Sequence, residues 1–338
     1  MDSASPVQPR SSEREVVLNP QPREAQARSS GGPVVPGGGA VPETRMRVKK
    51  RAGEYEPVDV NKIVRAVSRC CAGLSEVDPM RVAMRTISGL YDGATTRELD
   101  QLSIQTAASL IAEEPQYSRL AARLLCAFID KEVRNQNIMS FSQSVRAAFE
   151  NGLISQQLAD FVTAHHRKLD QAIQPERNDL FEYFGIRTVY DRYLLVNPST
   201  RDALETPQYF FMRVACGLSQ TPKEAIEFYE LMSTLEYLPS SPTLFNSGST
   251  RSQLSSCYLL DSPEDDLGAI YDRYADVAKL SKYAGGIGLS YTRVRAKGSL
   301  IRGTNGHSNG IVPWLKTLDS SVAAVNQGGR RKGAACVY

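Results

Sequence analysis

Histidine and tryptophan are scarce in this chain, three and one among 338 residues. Its six cysteines, Cys70, Cys71, Cys126, Cys216, Cys257 and Cys336, contain no CxxC pair. These scarcities argue against a structural zinc site and against a secreted disulfide framework. No apolar run reaches the roughly 20 residues that a membrane-spanning helix needs, and the N-terminus has no signal-peptide hydrophobic core. An excess of one charge is also missing. Forty basic residues against 37 acidic ones leave a formal charge of +3, with no like-charge block of the kind that grips nucleic acid. The basic run Arg47–Arg51 is interrupted by Val48 and reads as a strand edge or a small-anion contact. What remains is a cytoplasmic chain with no membrane or nucleic-acid partner, long enough for two or three domains.

Residues 1–45 form a polar tail rich in Pro, Gly and Ser, which cannot bury enough apolar surface to offset its ordering entropy. From Met46 the texture changes. Met46–Lys50 and Glu54–Val58 predict two short strands turning at Ala52-Gly53, and Asn61–Cys71 carries Ile63, Val64 and Val67 on one helical face. Asp78-Pro79 starts a helix, Thr95-Thr96-Arg97-Glu98 fits a capping box, and Leu120, Leu124 and Phe128 continue a helical pattern beyond Pro115. A hairpin followed by four helices, 46–136, makes one small domain. Residues 137–239 read as mostly helical, with a second capping box at Thr221-Pro222-Lys223-Glu224. Its concentrated aromatics, from Phe181, Tyr183 and Phe184 to Phe210 and Phe211, predict core packing rather than a stacking platform for bases.

From Ser240 to Tyr338, loops punctuated by glycine separate strand-like pieces (257–260, 287–294, 334–338) from helices (about 265–284 and 310–325), an alternation typical of α/β layouts. The glycine-rich loops are Ala284–Gly288, Gly303–Gly310 and Gln327–Gly333. Before them, Ser240-Ser241-Pro242-Thr243 and Ser255-Ser256-Cys257 set hydroxyls and one thiol around a tight turn. Hydroxyls and free backbone N–H groups bind phosphate, and a neighbouring thiol adds redox chemistry. Singly, each signal is weak: serines cap turns, a lone cysteine is often a small hydrophobe, and a GGxG after a helix is not a dinucleotide fingerprint. In the hairpin domain, Lys50, Arg51 and a helix N-terminus converge in a way that suits a triphosphate, although on spacing alone a solvated strand face accounts for them better. Asp265 and Asp266 at a helix start and Lys282 near its end complement the helix dipole, and Arg293 and Arg295 suit an exposed strand face.

The ordered set is more specific than its parts. Val48–Val58 followed by Leu90–Asp100 resembles an ATP-cone, and Ser-Pro-Thr-Leu-Phe-Asn through Gln-Leu-Ser-Ser-Cys resembles the substrate loop of the ribonucleotide reductase large (alpha) subunit, class I-like. The likeness runs from about Met46 to Tyr338. It implies a small hairpin-plus-helices ATP-cone, a helical domain, and from 240 onward the opening of a ten-stranded α/β barrel. It places cone nucleotide contacts on Lys50, Arg51, Glu56, Pro57, Val58, Asp59, Val60, Asn61, Lys62, Thr96 and Asp100. Substrate contacts fall on Ser241, Ser256, Cys257 and Gly286, with Cys257 as a catalytic reductant that becomes half of a disulfide; Cys336 is no matching partner and is expected in a core. A deoxynucleotide effector bridging two subunits would meet Asp265, Asp266, Leu267, Lys282, Arg295, Arg302 and Gly303, and Gly329–Gly333 matches the segment that reports its identity.

The same resemblance implies radical-based reduction of ribonucleotides to deoxyribonucleotides, controlled by ATP, dATP and deoxynucleoside triphosphates. It implies a small (beta) subunit that carries the metal, none being expected in this chain, a homodimer, and thioredoxin or glutaredoxin as reductant. The radical cysteine and the partner redox cysteine would lie beyond Tyr338, so a truncated large subunit is the expectation. Two other readings stay open at this point. One is a cone-based nucleotide sensor without catalysis, whose usual zinc ribbon is absent from the sequence; the other is a fragment of a cobalamin-dependent reductase.

Overall fold

The structure is a computed structural model and describes residues 46–51, 53–283, 285–325 and 333–338. The tail 1–45 and most of the third glycine-rich segment, 326–332, lie outside the described residues.

Strands β1 (Arg47–Lys49) and β2 (Tyr55–Pro57) pair antiparallel, with Val48 opposite Glu56. Gly53 closes their turn at φ +92°, where a side chain would be strained, and its N–H donates to the Lys50 carbonyl. Four helices follow: α1 (Val60–Cys70), α2 (Pro79–Ser88), α3 (Thr96–Ser109) and α4 (Gln116–Arg134). Each of the first three begins where a side chain can take up a free amide. Asp59 accepts from Asn61, Asp78 accepts from Met80, and Thr95 and Glu98 exchange bonds in a capping box. The Lys49 amide donates to the Ala94 carbonyl, which fixes the hairpin beside the start of α3.

Next come α5 (Phe141–Glu150), α6 (Gln156–Ala172), a 3-10 turn (Pro175–Leu180), α7 (Tyr183–Thr188), one π-helical turn (Val189–Tyr193), α8 (Pro207–Leu218) and α9 (Pro222–Ser233). One apolar core runs without a break from Val67 of α1 to Leu244. Phe181, Phe210 and Phe211 are buried in or beside it, as core packing requires. Phe184 departs from that expectation: it stands 84% exposed, two positions from buried Ile186 and so on the other side of α7. A buried ion pair sits in the same region. Arg213 of α8, 1% exposed, binds Glu205 and donates to the Ser247 carbonyl at 2.9 Å.

The stretch expected as a tight turn is instead a short helix, α10 (Ser241–Asn246), with Pro242 in its first turn. Beyond it a second core forms between a sheet and two helices. Strands β3 (Cys257–Leu260), β4 (Gly286–Leu289) and β7 (Ala335–Val337) pair parallel in the order β3-β4-β7, and α11 (Leu267–Lys282) and α12 (Val312–Ala324) cover one face. A small hairpin, β5 (Leu300–Ile301) with β6 (Gly306–His307), stands between β4 and α12.

The strand expected from 287 to 294 is corrected at both ends. It begins at Gly286, inside the glycine-rich loop, and its glycines admit close neighbours: a Cβ at Gly288 would lie 2.8 Å from Leu259. The strand also stops at Leu289 instead of Val294, because the Ser290 hydroxyl accepts from Thr292 N–H and the Val294 N–H turns back to Tyr291.

Candidate functional sites

The hairpin and α1, α3 and α4 enclose a cavity of about 490 Å³. Of the expected cone residues, Glu56, Val58, Asp59, Lys62, Thr96 and Asp100 line it. Lys50 and Arg51 stand behind two of these carboxylates. Lys50 Nζ lies 2.8 Å from Glu56, and Arg51 lies 3.4 Å from Asp100. Pro57, Val60 and Asn61 are exposed on the rim elements and do not line the cavity. Sequence reasoning missed Arg69 and Lys131, which do. Lys131 lies on α4, 31 positions from Asp100, and holds its carboxylate at 2.7 and 2.9 Å. Only its four-residue offset from Ala127, another lining residue, signals that it faces the same way.

Anions and cations therefore alternate around this cavity. Hydrogen bonds from Lys50 and then Lys62 hold the Glu56 carboxyl below the usual glutamate range, and Glu56 in turn raises Lys50. Arg51 rests its guanidinium 5.0 Å from the Phe128 ring centre, and its Nη1 is buried with no hydrogen-bond partner among the described residues. That unmet donor is buried behind Asp100 and does not itself line the cavity. The adjoining groove carries Lys62, Arg65, Arg69 and Lys131, a cationic rim suited to phosphate.

The second candidate lies on the face of the three-stranded sheet that is uncovered among the described residues. Because side chains alternate across a strand, Ile287, Leu289, Ala335 and Val337 meet the helices, and Cys257, Leu259 and Cys336 point the other way. Cys257 is exposed at the start of β3, directly opposite Gly286. The Ser256 hydroxyl lies 3.6 Å from its sulfur, the Gly286 N–H donates to the Ser256 carbonyl at 2.7 Å, and a Cβ at Gly286 would stand 3.4 Å from the sulfur. Ser256, Cys257 and Gly286 are thus one cluster. Cys336 corrects the expectation of core packing: register with Gly288 turns its thiol to the same open face. Cys71, Cys126 and Cys216 are the buried thiols, and burial pushes Cys71 up to about 11, Cys126 up to about 12 and Cys216 further in the same direction.

Ser241 opens α10, and its hydroxyl meets Tyr193 rather than the Cys257 cluster. Thr243 Oγ1 donates to the Leu254 carbonyl and Asn246 to that of Gln253, which seats the helix against the loop leading to Cys257. Gln253 also spans to the Tyr283 carbonyl at 3.0 Å, tying that loop to the end of α11.

The third candidate is a cavity of about 450 Å³ at the start of α11, lined by Asp265, Asp266, Leu267, Arg295, His307 and Trp314 among others. Asp266 caps the helix by accepting from Ala269 N–H, and Arg295 grips Asp265 through Nε at 2.5 Å. Arg295 is in a loop, not on a strand. Arg302 and Gly303 are exposed in the β5–β6 turn just outside the cavity. Lys282 ends α11, 15 residues from Leu267 and so about 22 Å along the axis. A single copy of the chain does not bring it to this cavity. Among the described residues, no group of three or more His, Cys, Asp or Glu could hold a metal ion, and no helix is long and apolar enough to cross a membrane.

Three family models match in succession: the ATP cone domain over residues 46–132, the ribonucleotide reductase all-alpha domain over 179–252, and the ribonucleotide reductase barrel domain over 255–338. Three strands do not close a barrel, in keeping with a partial barrel domain. Similar proteins include the ribonucleoside-diphosphate reductase large chain of Neurospora crassa, 41% identical over 302 residues, which are 87% of this chain and 32% of that protein. The large subunits of Monkeypox virus and Arabidopsis thaliana are 40% and 39% identical over 306 residues, covering 87% of this chain and 39% and 37% of theirs. The chain therefore spans well under half the length of these curated relatives. Cone, helical and barrel segments follow one another in a single order along it, and on that ground the chain belongs to the ribonucleotide reductase large-subunit family.

Proposed function

We propose that this chain supplies the regulatory cone and the substrate loop of a ribonucleoside-diphosphate reductase, which makes deoxyribonucleotides for DNA synthesis. The observation that carries the reading is the exposed Cys257 thiol beside Ser256 and Gly286 on the uncovered sheet face. The Ser241 and Ser256 hydroxyls would donate to the diphosphate, and Gly286 would let the ribose approach the sulfur, because no side chain intervenes. Cys257 would supply one of two thiols whose oxidation to a disulfide delivers two electrons to the sugar. The second thiol, the initiating radical and the metal-bearing small subunit are outside the chain. Thioredoxin or glutaredoxin would restore the thiols.

ATP or dATP would occupy the cone cavity, with Lys62, Arg69 and Lys131 toward the phosphates and Lys50 and Arg51 released from Glu56 and Asp100 as the nucleotide enters. A deoxynucleoside triphosphate would occupy the cavity at the start of α11. Two chains packed antiparallel along α11 would bring Lys282 of one copy to Asp266 of the other, which fits a homodimer. On this reading 46–136 is the cone, 137–239 the helical domain and 240–338 the barrel portion, in a cytoplasmic enzyme.

The test is Cys257→Ala in the reductase assembled with its small subunit. Deoxynucleotide formation should vanish while ATP binding stays at the wild-type level. Undiminished turnover would overturn the reading.

A further inference from the structure

Ser241 makes one side-chain contact that the substrate loop itself does not supply. Its hydroxyl lies 2.9 Å from the Tyr193 hydroxyl, 48 positions earlier in the chain. Tyr193 ends the π-helical turn Val189–Tyr193, a rare conformation often found at functional sites. The ring is held firmly: it stacks on Phe245 of α10, centroids 4.5 Å apart and planes 21° apart, and leans on Phe210 at 6.0 Å. The other tyrosine of the same turn is anchored too. Tyr190 Oη donates to buried Glu132 at 3.2 Å, and Arg97 of α3 pairs with that carboxylate at 2.7 Å. A π turn clamped at both tyrosines presents the Tyr193 hydroxyl to Ser241 at a fixed place.

We propose that Tyr193 is a positioning residue for diphosphate binding, acting through Ser241; the inference rests on the reading of Ser241 as a phosphate ligand. The argument is one of hydrogen-bond polarity. Phosphate oxygens only accept, so Ser241 must spend its single O–H on the phosphate. Its oxygen lone pair is then left to accept, and Tyr193 is the donor aimed at it. With Tyr193 donating, the serine proton turns outward before the nucleotide arrives. Without it, the hydroxyl rotates freely and also offers its proton elsewhere. The Tyr193 ring does the packing and the Oη sets the polarity, so the two roles can be separated by removing one atom.

The experiment titrates cytidine diphosphate into the chain and into Tyr193→Phe, Ser241→Ala and the double variant by calorimetry, with ATP as a parallel ligand. Tyr193→Phe keeps both ring contacts and should melt with the parent. Each single variant should weaken cytidine diphosphate by about three- to tenfold, the range for one neutral hydrogen bond. The double variant should bind no more weakly than Ser241→Ala alone, since Tyr193 acts only through that hydroxyl. ATP affinity should not move. Loss at Ser241→Ala with none at Tyr193→Phe, or additive losses in the double variant, would overturn the positioning role and leave the site intact. A neutral Ser241→Ala, or no binding of cytidine diphosphate by the parent chain, would overturn the site reading itself.

Discussion

The cone cavity and the thiol face of the sheet are built on opposite principles. Four elements of one small domain close around the cone cavity, and every carboxylate facing it but Asp130 and Asp59 is held by two cations: Glu56 by Lys50 and Lys62, Asp100 by Arg51 and Lys131. The thiol face has a floor and, among the described residues, no opposing wall; Leu259 stands 79% exposed on it. A preorganised charge lattice can exchange its internal partners for a ligand's with little rearrangement. The difference teaches that neighbouring elements of the chain complete the cone cavity by themselves, whereas the face that carries Cys257 is open among the described residues.

The largest expected contrast lies between thiols. Alkylation by iodoacetamide under native conditions should modify Cys257 and Cys336 at least about a hundredfold faster than Cys126 and Cys216, which must wait for the fold to open. Equal rates, read by peptide mass spectrometry, would erase the distinction between an open face and a closed core. A backbone probe comes next. A Cβ at Gly217 would sit 2.3 Å from Ser247 Oγ and 2.4 Å from the Gly248 nitrogen. Gly217→Ala should therefore cost about 1–3 kcal/mol by denaturant unfolding and loosen the seat of α10, with ATP binding kept. If ATP binding fell in step, the two regions would not be independent.

A smaller effect probes the cone alone. Lys131→Ala should lower ATP affinity by about tenfold, the loss of one charge-assisted contact, without altering reactivity at Cys257. Unchanged affinity in calorimetry would remove Lys131 from the pocket's function. The smallest effects are in pH dependence, where two glutamates of the cone pull in opposite directions. Hydrogen bonds from the Thr95 N–H and hydroxyl hold Glu98 below the usual range. Its contribution is therefore present above the ordinary glutamate value and fades as pH falls through the lowered one. Burial raises Glu132 despite its pairing with Arg97. Its contribution is full below the ordinary value and is lost as pH rises through the raised one. Thermal melts from pH 3 to 7 should show Glu98→Gln flattening the acid limb only and Glu132→Gln the upper limb only.

Local chemistry was readable before any fold was known. Asp78-Pro79, the Thr95–Glu98 box and the Thr221–Glu224 box all act within four residues, and each stands where the residue pattern puts it. The cone's outline was legible for the same reason, since a hairpin and the helix after it are consecutive. Lys131 was not legible, because α3 and α4 must first pack to bring it against Asp100. Nor was the facing of Cys336, which follows from strand register: a slip of one residue would send its thiol into the helices. Nor was Arg213, which the fold buries with Glu205 and uses to hold the Ser247 carbonyl.

By itself the order of residues determined the caps, the turn at Gly53, most of the helical segments and the family to which they belong, because these depend on dihedral preferences and spacings of a few positions. The tertiary structure alone decided which cations face the cone cavity, which thiols are open, and that Tyr193 meets Ser241. Those pairs are separated by tens of residues, and only packing and strand register, set by burial across the whole chain, bring such atoms within hydrogen-bonding distance.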